Sequence, residues 1–418
     1  MSRLNDPKTT IVGAGIVGIC TALALAKEGV DVRLIDRDEP GQGASYGNAG
    51  VISPWSVVPQ SIPGAWRNIP GWLLKEDGPL FIRPSYFTRL FPWTWAFLKQ
   101  GKMRRVREIS DAMETLNQNN IELYRKLLAG TGFEALITDS YYVHAFRNPD
   151  KADIDALEYV LKREKGATIE RIDGTELRQL EPALSPDFKT AIVTKGQARS
   201  VEPGKIGQVL FQQFTALGGE FLRADVTQIK PDANDLWMIE TSEGAYKASK
   251  IVLAAGAWSG RLLAPLGVKV PLEAERGYHV EFPDAGVTLN NSVMDMELKC
   301  VASSMNTGLR IAGTAEFAGL DALPNQKRID MLMSCAKRIV PDVDFEGVKS
   351  WSGVRPSSPD SLPFLGEVPS HKGLFAAFGH SHFGLMMAPK TGEVVTDMLL
   401  NRSVNSDYSP FQVNRFNT

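Results

Sequence analysis

A glycine-rich turn at residues 13–18 constrains the fold of this chain more than any other stretch. Its letters, Gly-Ala-Gly-Ile-Val-Gly, stand between a β-branched run at residues 9–12 and a helical pattern at residues 19–28. A second apolar run follows at residues 30–35 and ends at Asp36. The order strand, G-x-G-x-x-G, helix, strand and acid is that of a dinucleotide-binding βαβ unit.

Each glycine of this unit and its acidic residue have a physical role. Gly13 permits the tight turn, Gly15 lets the backbone approach a pyrophosphate, and Gly18 lets the helix pack close to the strand. The helix N-terminus attracts phosphate charge, and Asp36 would accept hydrogen bonds from ribose hydroxyls. The unit predicts a bound dinucleotide, but it leaves open which one.

The length and charge of the chain limit the class of protein. A chain of 418 residues exceeds one ordinary core, so we expect two domains. A net charge of −2 gives no basic field, so no nucleic-acid partner is expected. The N-terminus lacks the apolar core of a signal peptide, and no apolar run reaches the ~18 residues of a membrane span.

The cysteines point to a reducing compartment. Cys20, Cys300 and Cys335 are far apart in the sequence and form no C-x-x-C pair. The spacing therefore predicts no zinc site or other metal site, no redox dithiol and no disulfide framework. A cytoplasmic location fits best, with peripheral binding at the inner membrane face as an alternative.

Residues 55–107 are rich in tryptophan, proline and basic side chains. The favoured interpretation is a helical cap whose tryptophans pack on the domain beneath. The alternative is a lid or a peripheral membrane contact, because aromatic and basic side chains together suit a lipid interface. The prolines argue against a long amphipathic helix in this stretch.

Later segments predict a return to the nucleotide-binding sheet and a second sheet. A small-residue loop at residues 43–50 follows Asp36, and residues 250–259 and 374–384 each read as a buried strand that enters a glycine turn. Residues 270–345 are strand-rich and predict a separate antiparallel sheet with a covering helix.

Five blocks together resemble a known family. They are residues 12–18, 43–50, 254–258, 353–356 and 379–384. They resemble the FAD-dependent D-amino-acid oxidase (DAO) superfamily, which includes glycine and sarcosine oxidases and D-amino-acid dehydrogenases. The block Ala-Ser-x-x-Asn-Ala-Gly followed by Ile-Ser-Pro looks like the D-amino-acid dehydrogenase branch.

Four further stretches are similar to glyphosate oxidoreductases within that superfamily. These are residues 56–59, 275–279, 312–320 and 409–411.

The resemblance implies an α/β fold, α+β overall. It implies a Rossmann-like FAD-binding domain of the DAO/glutathione-reductase-2 type with an inserted antiparallel-sheet substrate domain. The expected FAD-binding domain comprises residues 1–58, 196–268 and 348–418. The expected substrate or cap domain comprises residues 59–195 and 269–347.

The resemblance also implies FAD as the cofactor, bound covalently or non-covalently. The residues implied to contact it are Gly13, Gly15, Ile16, Val17, Gly18, Asp36, Arg37, Ala44, Ser45, Asn48, Ala49, Gly50, Val226, Ala255, Gly256, Trp258, Gly379, His380, Ser381, His382 and Gly384.

The implied catalytic residues are Arg355, Tyr278, His382 and His380. Arg355 matches the family's carboxylate-binding arginine, and a planar guanidinium can pair a carboxylate bidentately; the alternative is a structural ion pair. Tyr278 matches a substrate-facing tyrosine, with an ordinary strand aromatic as the alternative. Strand alternation places Tyr278 opposite both Arg276 and His279. His382 either accepts a proton from the substrate ammonium or bonds the flavin and packs.

The activity implied is oxidative deamination of a D-amino acid, or of a cyclic or N-substituted amino acid. Hydride passes from Cα to flavin N5 while an arginine holds the carboxylate. Alternatives within the class are a glycine/sarcosine-type oxidase that uses oxygen and a D-proline or hydroxy-D-proline dehydrogenase. The electron acceptor is a quinone, the respiratory chain or oxygen.

Two other classes of protein are also considered. A pyridine-nucleotide-dependent flavin reductase would need a second G-x-G-x-x-G. A non-catalytic flavin-carrying subunit would not need to retain Arg355, Tyr278 and both turn histidines.

Overall fold

The computed structural model describes residues 7–67, 69–74, 78–403 and 406–416. Residues 1–6, which belong to the stretch considered for a signal peptide, lie outside the described residues, as do residues 68 and 75–77 of the tryptophan-rich segment. The strands are β1 (Lys8–Val12), β2 (Val32–Asp36), β3 (Val51–Ile52), β4 (Leu80–Ile82), β5 (Ile137–Phe146), β6 (Ile169–Asp173), β7 (Thr190–Ser200), β8 (Glu220–Arg223), β9 (Val226–Pro231), β10 (Trp237–Thr241), β11 (Gly244–Leu253), β12 (Glu273–Phe282), β13 (Ser292–Asp295), β14 (Cys300–Met305), β15 (Gly308–Phe317), β16 (Lys349–Ser357), β17 (Phe364–Glu367) and β18 (Leu374–Phe378). The α-helices are α1 (Ile16–Lys27), α2 (Ile69–Leu74), α3 (Phe87–Gln100), α4 (Met103–Asn117), α5 (Asn120–Leu128), α6 (Leu157–Glu164), α7 (Gly174–Leu180), α8 (Pro203–Ala216), α9 (Ser259–Leu263), α10 (Gln326–Ile339) and α11 (Gly384–Leu399).

The first sheet has a parallel centre. Its order is β17-β18-β11-β1-β2-β8, and the pairs from β18 to β8 are all parallel. Strand β17 adds an antiparallel edge, and the β9–β10 hairpin attaches to β11. The runs of β1, β2 and β18 are almost wholly buried, as expected for parallel strands covered on both faces.

The topology brings distant motifs to one edge of this sheet. The glycine turn at residues 13–18 follows β1, Asp36 ends β2, residues 254–258 follow β11, and residues 379–384 follow β18. Because these strands are parallel, their carboxyl ends lie at the same edge, where ligands bind in open α/β sheets. The predicted return to the nucleotide sheet is confirmed.

The glycine turn is shaped by steric necessity at two positions. Gly13 has a φ of 110°, a conformation that favours glycine, and a Cβ there would lie 2.4 Å from the carbonyl oxygen of Ala254. A Cβ on Gly18 would lie 1.9 Å from the carbonyl oxygen of Gly13. The close contact of β1, α1 and β11 therefore leaves no room for side chains here.

The second sheet is mixed and mostly antiparallel. Its order is β16-β12-β15-β14-β13-β5-β7-β3, with β4 attached to β15 and β6 to β7. The pairs β13/β5 and β4/β15 are parallel. Helix α10 covers one face, where its buried side chains pack with those of β12, β14 and β15. The predicted fold class of a parallel sheet plus a second, largely antiparallel sheet is confirmed.

Some pairings cross the expected domain limits. Strand β16 pairs with β12, and residues 196–200 belong to β7, although the expected limits assign both segments to the FAD-binding domain. The domain limits themselves stay a prediction.

The cysteine spacing was a poor guide to distance in space. Cys300 on β14 and Cys335 on α10 are buried free thiols whose sulfur atoms lie 3.5 Å apart. These two thiols are therefore neighbours in the fold although 35 residues separate them in the sequence.

The tryptophan-rich segment differs from the expected cap. Helix α3 runs through Pro92, and Trp93 is buried beneath it, but Trp66 and Trp95 are more than half exposed. Packing of Leu90 and Trp93 against Phe317 outweighs the backbone hydrogen bond that Pro92 removes. Within the described ranges, no helix combines the length and apolarity needed to cross a bilayer.

Candidate active site

A cavity of about 1270 Å³ opens where the two sheets meet. This volume exceeds the ~300–1,000 Å³ of a usual small-molecule site and leaves room for a dinucleotide and a second ligand. Nearly all the residues predicted to contact the cofactor line it; Gly18 and Gly50 do not. Gly18 packs beneath the glycine turn. Gly50 has a φ of 81° and lies beside the carbonyl oxygen of Ser200.

One end of the cavity has the features of a dinucleotide site. The N-terminus of α1 points into it and has no acidic side chain in its first turn. The Ser45 hydroxyl accepts a hydrogen bond from the Ile16 amide at 3.0 Å, which ties the loop after β2 to this helix. Asp36 stands at the cavity edge and accepts a hydrogen bond from the Ala14 amide at 2.6 Å. Positive helix potential, close backbone approach and a carboxylate at the end of β2 fit the pyrophosphate and ribose of a dinucleotide.

The Arg37 guanidinium covers the same end of the cavity. It lies 4.2 Å from the centroid of the Trp258 ring, and both residues line the cavity. Val226, Ala255 and Gly256 line the wall beside them. The structure thus brings these predicted contact residues together from three strand ends.

Arg355 projects into the cavity from β16. Its guanidinium lies flat over Gly277 of β12, where a Cβ would come within 2.1 Å of Nη2. Nη1 donates to Oε1 of Glu275 at 2.9 Å and to the Thr314 carbonyl oxygen at 3.0 Å. Nη1 is the donor in both hydrogen bonds that Arg355 makes to described residues. Its Nη2 and Nε can therefore donate to a ligand. A planar guanidinium with this pair of donors matches a carboxylate.

A backbone irregularity places the Thr314 carbonyl. The register between β12 and β15 shifts at Arg276/Tyr278, and Thr314 has a φ of 62°. Bulges of this kind redirect backbone groups next to functional sites. Here the bulge turns a carbonyl oxygen toward Arg355.

Glu275 is a site residue that the sequence did not identify as one. It is buried, and its carboxylate accepts from Arg355, from the Ser357 hydroxyl at 2.6 Å and from Nε2 of His382 at 3.1 Å. Burial alone would raise the pKa of Glu275, but His382, Arg355 and Ser357 lower it to about 2. Glu275 is therefore ionised at neutral pH. Its place in the Glu-Arg-Gly-Tyr-His block was the available signal.

The two turn histidines have different surroundings. His382 lies between Glu275 and Gln60, whose side-chain nitrogen is 2.6 Å from Nδ1. Since a carboxylate only accepts, Nε2 carries the proton toward Glu275, and Nδ1 faces the side-chain amide of Gln60. His380 is buried with Nε2 3.1 Å from the Thr391 hydroxyl, and burial lowers its pKa to about 3. His380 is therefore neutral and contacts α11.

Tyr278 lies on the face of β12 opposite Arg355 but also lines the cavity, and its substrate-facing role stays a prediction. Its side chain belongs to the core beneath α10; its hydroxyl donates to Glu316 and accepts from the Asn325 amide at 2.9 Å. Arg276 donates to Ser352 and so shares this face, whereas His279 stacks on Trp351 at 5.1 Å on the other face. The prediction that Tyr278 lies opposite His279 agrees with this arrangement, and the prediction that it lies opposite Arg276 is wrong.

A second arginine joins the cofactor loop to the second sheet. Arg310 of β15 is buried and donates through Nε and Nη2 to Glu281 at 2.9 and 2.7 Å. Its Nη1 donates to the carbonyl oxygens of Tyr46 and Asn48 at 3.1 and 2.8 Å. The loop at residues 44–50 is thereby held against β15.

Fold and cavity together define a dinucleotide-binding protein with an arginine that can hold an anionic ligand beside the dinucleotide. The chain belongs to the DAO family of FAD dependent oxidoreductases, whose profile matches residues 8–398. The predicted family, FAD cofactor and oxidoreductase class are confirmed.

Curated relatives agree with this assignment. A D-amino-acid oxidase of Bradyrhizobium diazoefficiens is 37% identical over 97% of this chain and 98% of its own. A D-amino acid dehydrogenase of Paramagnetospirillum magneticum is 32% identical over 98% and 99%. A glycine oxidase structure from Geobacillus kaustophilus has the same fold, with a TM-score of 0.75, 23% identity and 98% of each chain covered.

Proposed function

We propose that the protein oxidises a D-amino acid, or a cyclic or N-substituted amino acid, at the carbon that bears the amine. The single observation that carries this proposal is the position of Arg355, with Nη2 and Nε unengaged above Gly277 in the cavity. Two relatives named as a D-amino-acid oxidase and a D-amino acid dehydrogenase support the substrate class.

Arg355 binds the substrate carboxylate and so sets the orientation of Cα. Glu275 and the Thr314 carbonyl hold the guanidinium in place, which lowers the entropic cost of orienting the substrate. FAD, when bound, accepts the two electrons and the hydrogen that leave Cα.

His382 positions Glu275 in this proposal. Both of its ring nitrogens already have partners, so we do not assign it the proton of the substrate amine. Leu90, Trp93 and Phe317 line the cavity and exclude water from the reacting carbon.

The test is an Arg355→Met holoenzyme assayed by anaerobic bleaching of the flavin. We expect kcat/KM for a carboxylate-bearing substrate to fall on the order of a thousandfold, because a charge-assisted pair is lost. FAD content should stay near wild type, since Glu275 keeps Ser357 and His382 as partners. Arg125→Met, at an exposed ion pair with Asp139, is the matched control.

A comparison of substrates sharpens the test. The wild type should strongly prefer an amino acid over the amine that lacks its carboxylate, and Arg355→Met should lose that preference. Full activity of Arg355→Met on the amino acid would contradict the carboxylate assignment.

A substrate panel addresses the narrower predictions. It should contain D-amino acids, D-proline and N-substituted glycines, the last because of the resemblance to glyphosate oxidoreductases. Peroxide in air indicates an oxidase; turnover only with an artificial acceptor indicates a dehydrogenase that passes electrons to a quinone or the respiratory chain.

A cytoplasmic location is also proposed, and the free thiols of Cys20, Cys300 and Cys335 fit it.

A further inference from the structure

Helix α3 exposes an apolar face of four large side chains. Phe87, Phe91 and Trp95 are 59%, 65% and 56% exposed, and Leu98 is 36% exposed. At about 100° per residue these four span about 80° of the helix circumference. A ridge of three exposed aromatic rings on one helix is a feature of interaction sites and is unusual on a free surface.

The opposite face of α3 is also apolar and lies inside the protein. Leu90 and Trp93 are buried against Phe317, and Phe97 stacks on Trp93 with ring centroids 5.2 Å apart. Trp93 and Phe97 line the cavity. The exposed face therefore lies one helix thickness from the active site.

The charged residues in the sequence stretch that contains α3 are all basic. Residues 78–107 contain no aspartate or glutamate in a chain of net charge −2. They contain seven basic residues: Arg83, Arg89, Lys99, Lys102, Arg104, Arg105 and Arg107. Arg83, Arg104, Arg105 and Arg107 pair with acidic side chains outside this range, whereas Arg89, Lys99 and Lys102 have no ion-pair partner among the described residues. Lys99 lies 5.4 Å from the centroid of the exposed Trp95 ring.

We propose that α3 docks the enzyme on an anionic lipid bilayer, with Phe87, Phe91 and Trp95 in the headgroup region. Aromatic and leucine side chains on one face with flanking lysines and arginines characterise helices that lie in a membrane interface. The basic side chains attract anionic headgroups.

A second copy of the chain fits this face less well. In a two-fold contact the same patch meets itself, so the basic residues around α3 would face one another. Repulsion between the two copies of Arg89, Lys99 and Lys102, which have no acidic partner among the described residues, opposes such a contact. An anionic surface offers the complementary charge.

The test is co-sedimentation of the FAD-loaded enzyme with phosphatidylcholine vesicles with and without phosphatidylglycerol. We expect binding to the anionic vesicles, weaker binding in high salt, and little binding to the neutral ones. Phe87→Ser/Phe91→Ser/Trp95→Ser should lower the partition coefficient about a hundredfold, because each ring loses its burial in lipid. Lys99→Gln/Lys102→Gln should lower it about fivefold per charge.

Exposed positions allow clean controls. The triple variant should keep the FAD content and unfolding midpoint of the wild type, because its side chains have few contacts to lose. Leu217→Ser, at an exposed leucine after α8, should bind vesicles like the wild type. Failure of the wild type to sediment with anionic vesicles, or equal binding by the triple variant, would overturn the proposal. So would a stable dimer in sedimentation velocity that the triple variant dissociates.

Discussion

Strand β12 carries Glu275 near one end and Glu281 near the other, and each glutamate pairs with an arginine of a neighbouring strand. Arg310 uses Nε, Nη1 and Nη2 on Glu281 and on two carbonyl oxygens of the cofactor loop. Arg355 uses only Nη1 and is about one fifth exposed. The same type of ion pair thus has two different roles. All the donor nitrogens of Arg310 bind groups of the protein, whereas Arg355 keeps Nη2 and Nε for a ligand.

Arg310→Met should produce the largest loss of stability. Removing the arginine leaves Glu281 buried without its partner, which costs about 3–5 kcal/mol in the free energy of unfolding. The loop at residues 44–50 loses its tie to β15, so FAD affinity should fall as well. Denaturant unfolding and FAD titration measure the two effects.

The Arg310 prediction has two controls. Arg310→Met/Glu281→Leu should recover part of the stability, because no buried charge is left alone. Arg125→Met, at an exposed pair, should cost at most about 1 kcal/mol. A loss at Arg310 no larger than at Arg125 would contradict the distinction between the pairs.

Glu275→Gln should change how stability depends on pH. The pKa of Glu275 is about 2 in the folded protein, below its ordinary value of 4.5, so its contribution is present above about pH 4.5. That contribution, at most about 3 kcal/mol, is lost as the pH falls from 4.5 toward 2. Over this window the unfolding free energy of the wild type should fall more steeply than that of Glu275→Gln; parallel curves would contradict the ionised cluster.

Gly277→Ala should disturb Arg355 and leave Arg310 in place. The new Cβ would lie 2.1 Å from Nη2 and 2.3 Å from Cζ of Arg355, so the guanidinium must move. We expect KM for a carboxylate substrate to rise about 10- to 100-fold, because small misplacements at a reacting centre are costly. Stability should change little, since the displaced group ends a flexible side chain. Gly260→Ala, whose nearest neighbour is 3.8 Å away, is the control, and an unchanged KM would contradict the position assigned to Arg355.

The nucleotide-binding half of the molecule was largely predictable from sequence. The turn at residues 13–18, Asp36 and the return at residues 379–384 are local motifs, and parallel-sheet topology then places them at one edge. Their roles follow from backbone sterics and helix potential, which act over a few residues.

The substrate half was less predictable because its chemistry depends on register between distant strands. Glu275 becomes a site residue only through pairing of β12 with β16, and no local pattern specifies that pairing. Strand alternation predicts that Tyr278 and His279 lie on opposite faces of β12. Only the position of α10 decides which of these two faces is packed in the core. Helix α3 continues through Pro92 because burial of Leu90 and Trp93 overrides local propensity.

Tyr278→Phe tests the other face of β12 and should have the smallest effect. Loss of the hydroxyl leaves the buried Glu316 carboxylate and the Asn325 amide without this partner, which costs about 1–2 kcal/mol of unfolding free energy. KM should stay unchanged because the hydroxyl points toward α10 and away from Arg355. Tyr86→Phe, which loses a hydrogen bond to Glu273 at 2.8 Å, is a matched control for the missing hydroxyl. If Tyr278→Phe raised KM with no loss of stability, the substrate-facing role implied by the family resemblance would be supported, and the ligand-binding face of β12 would have to include Tyr278.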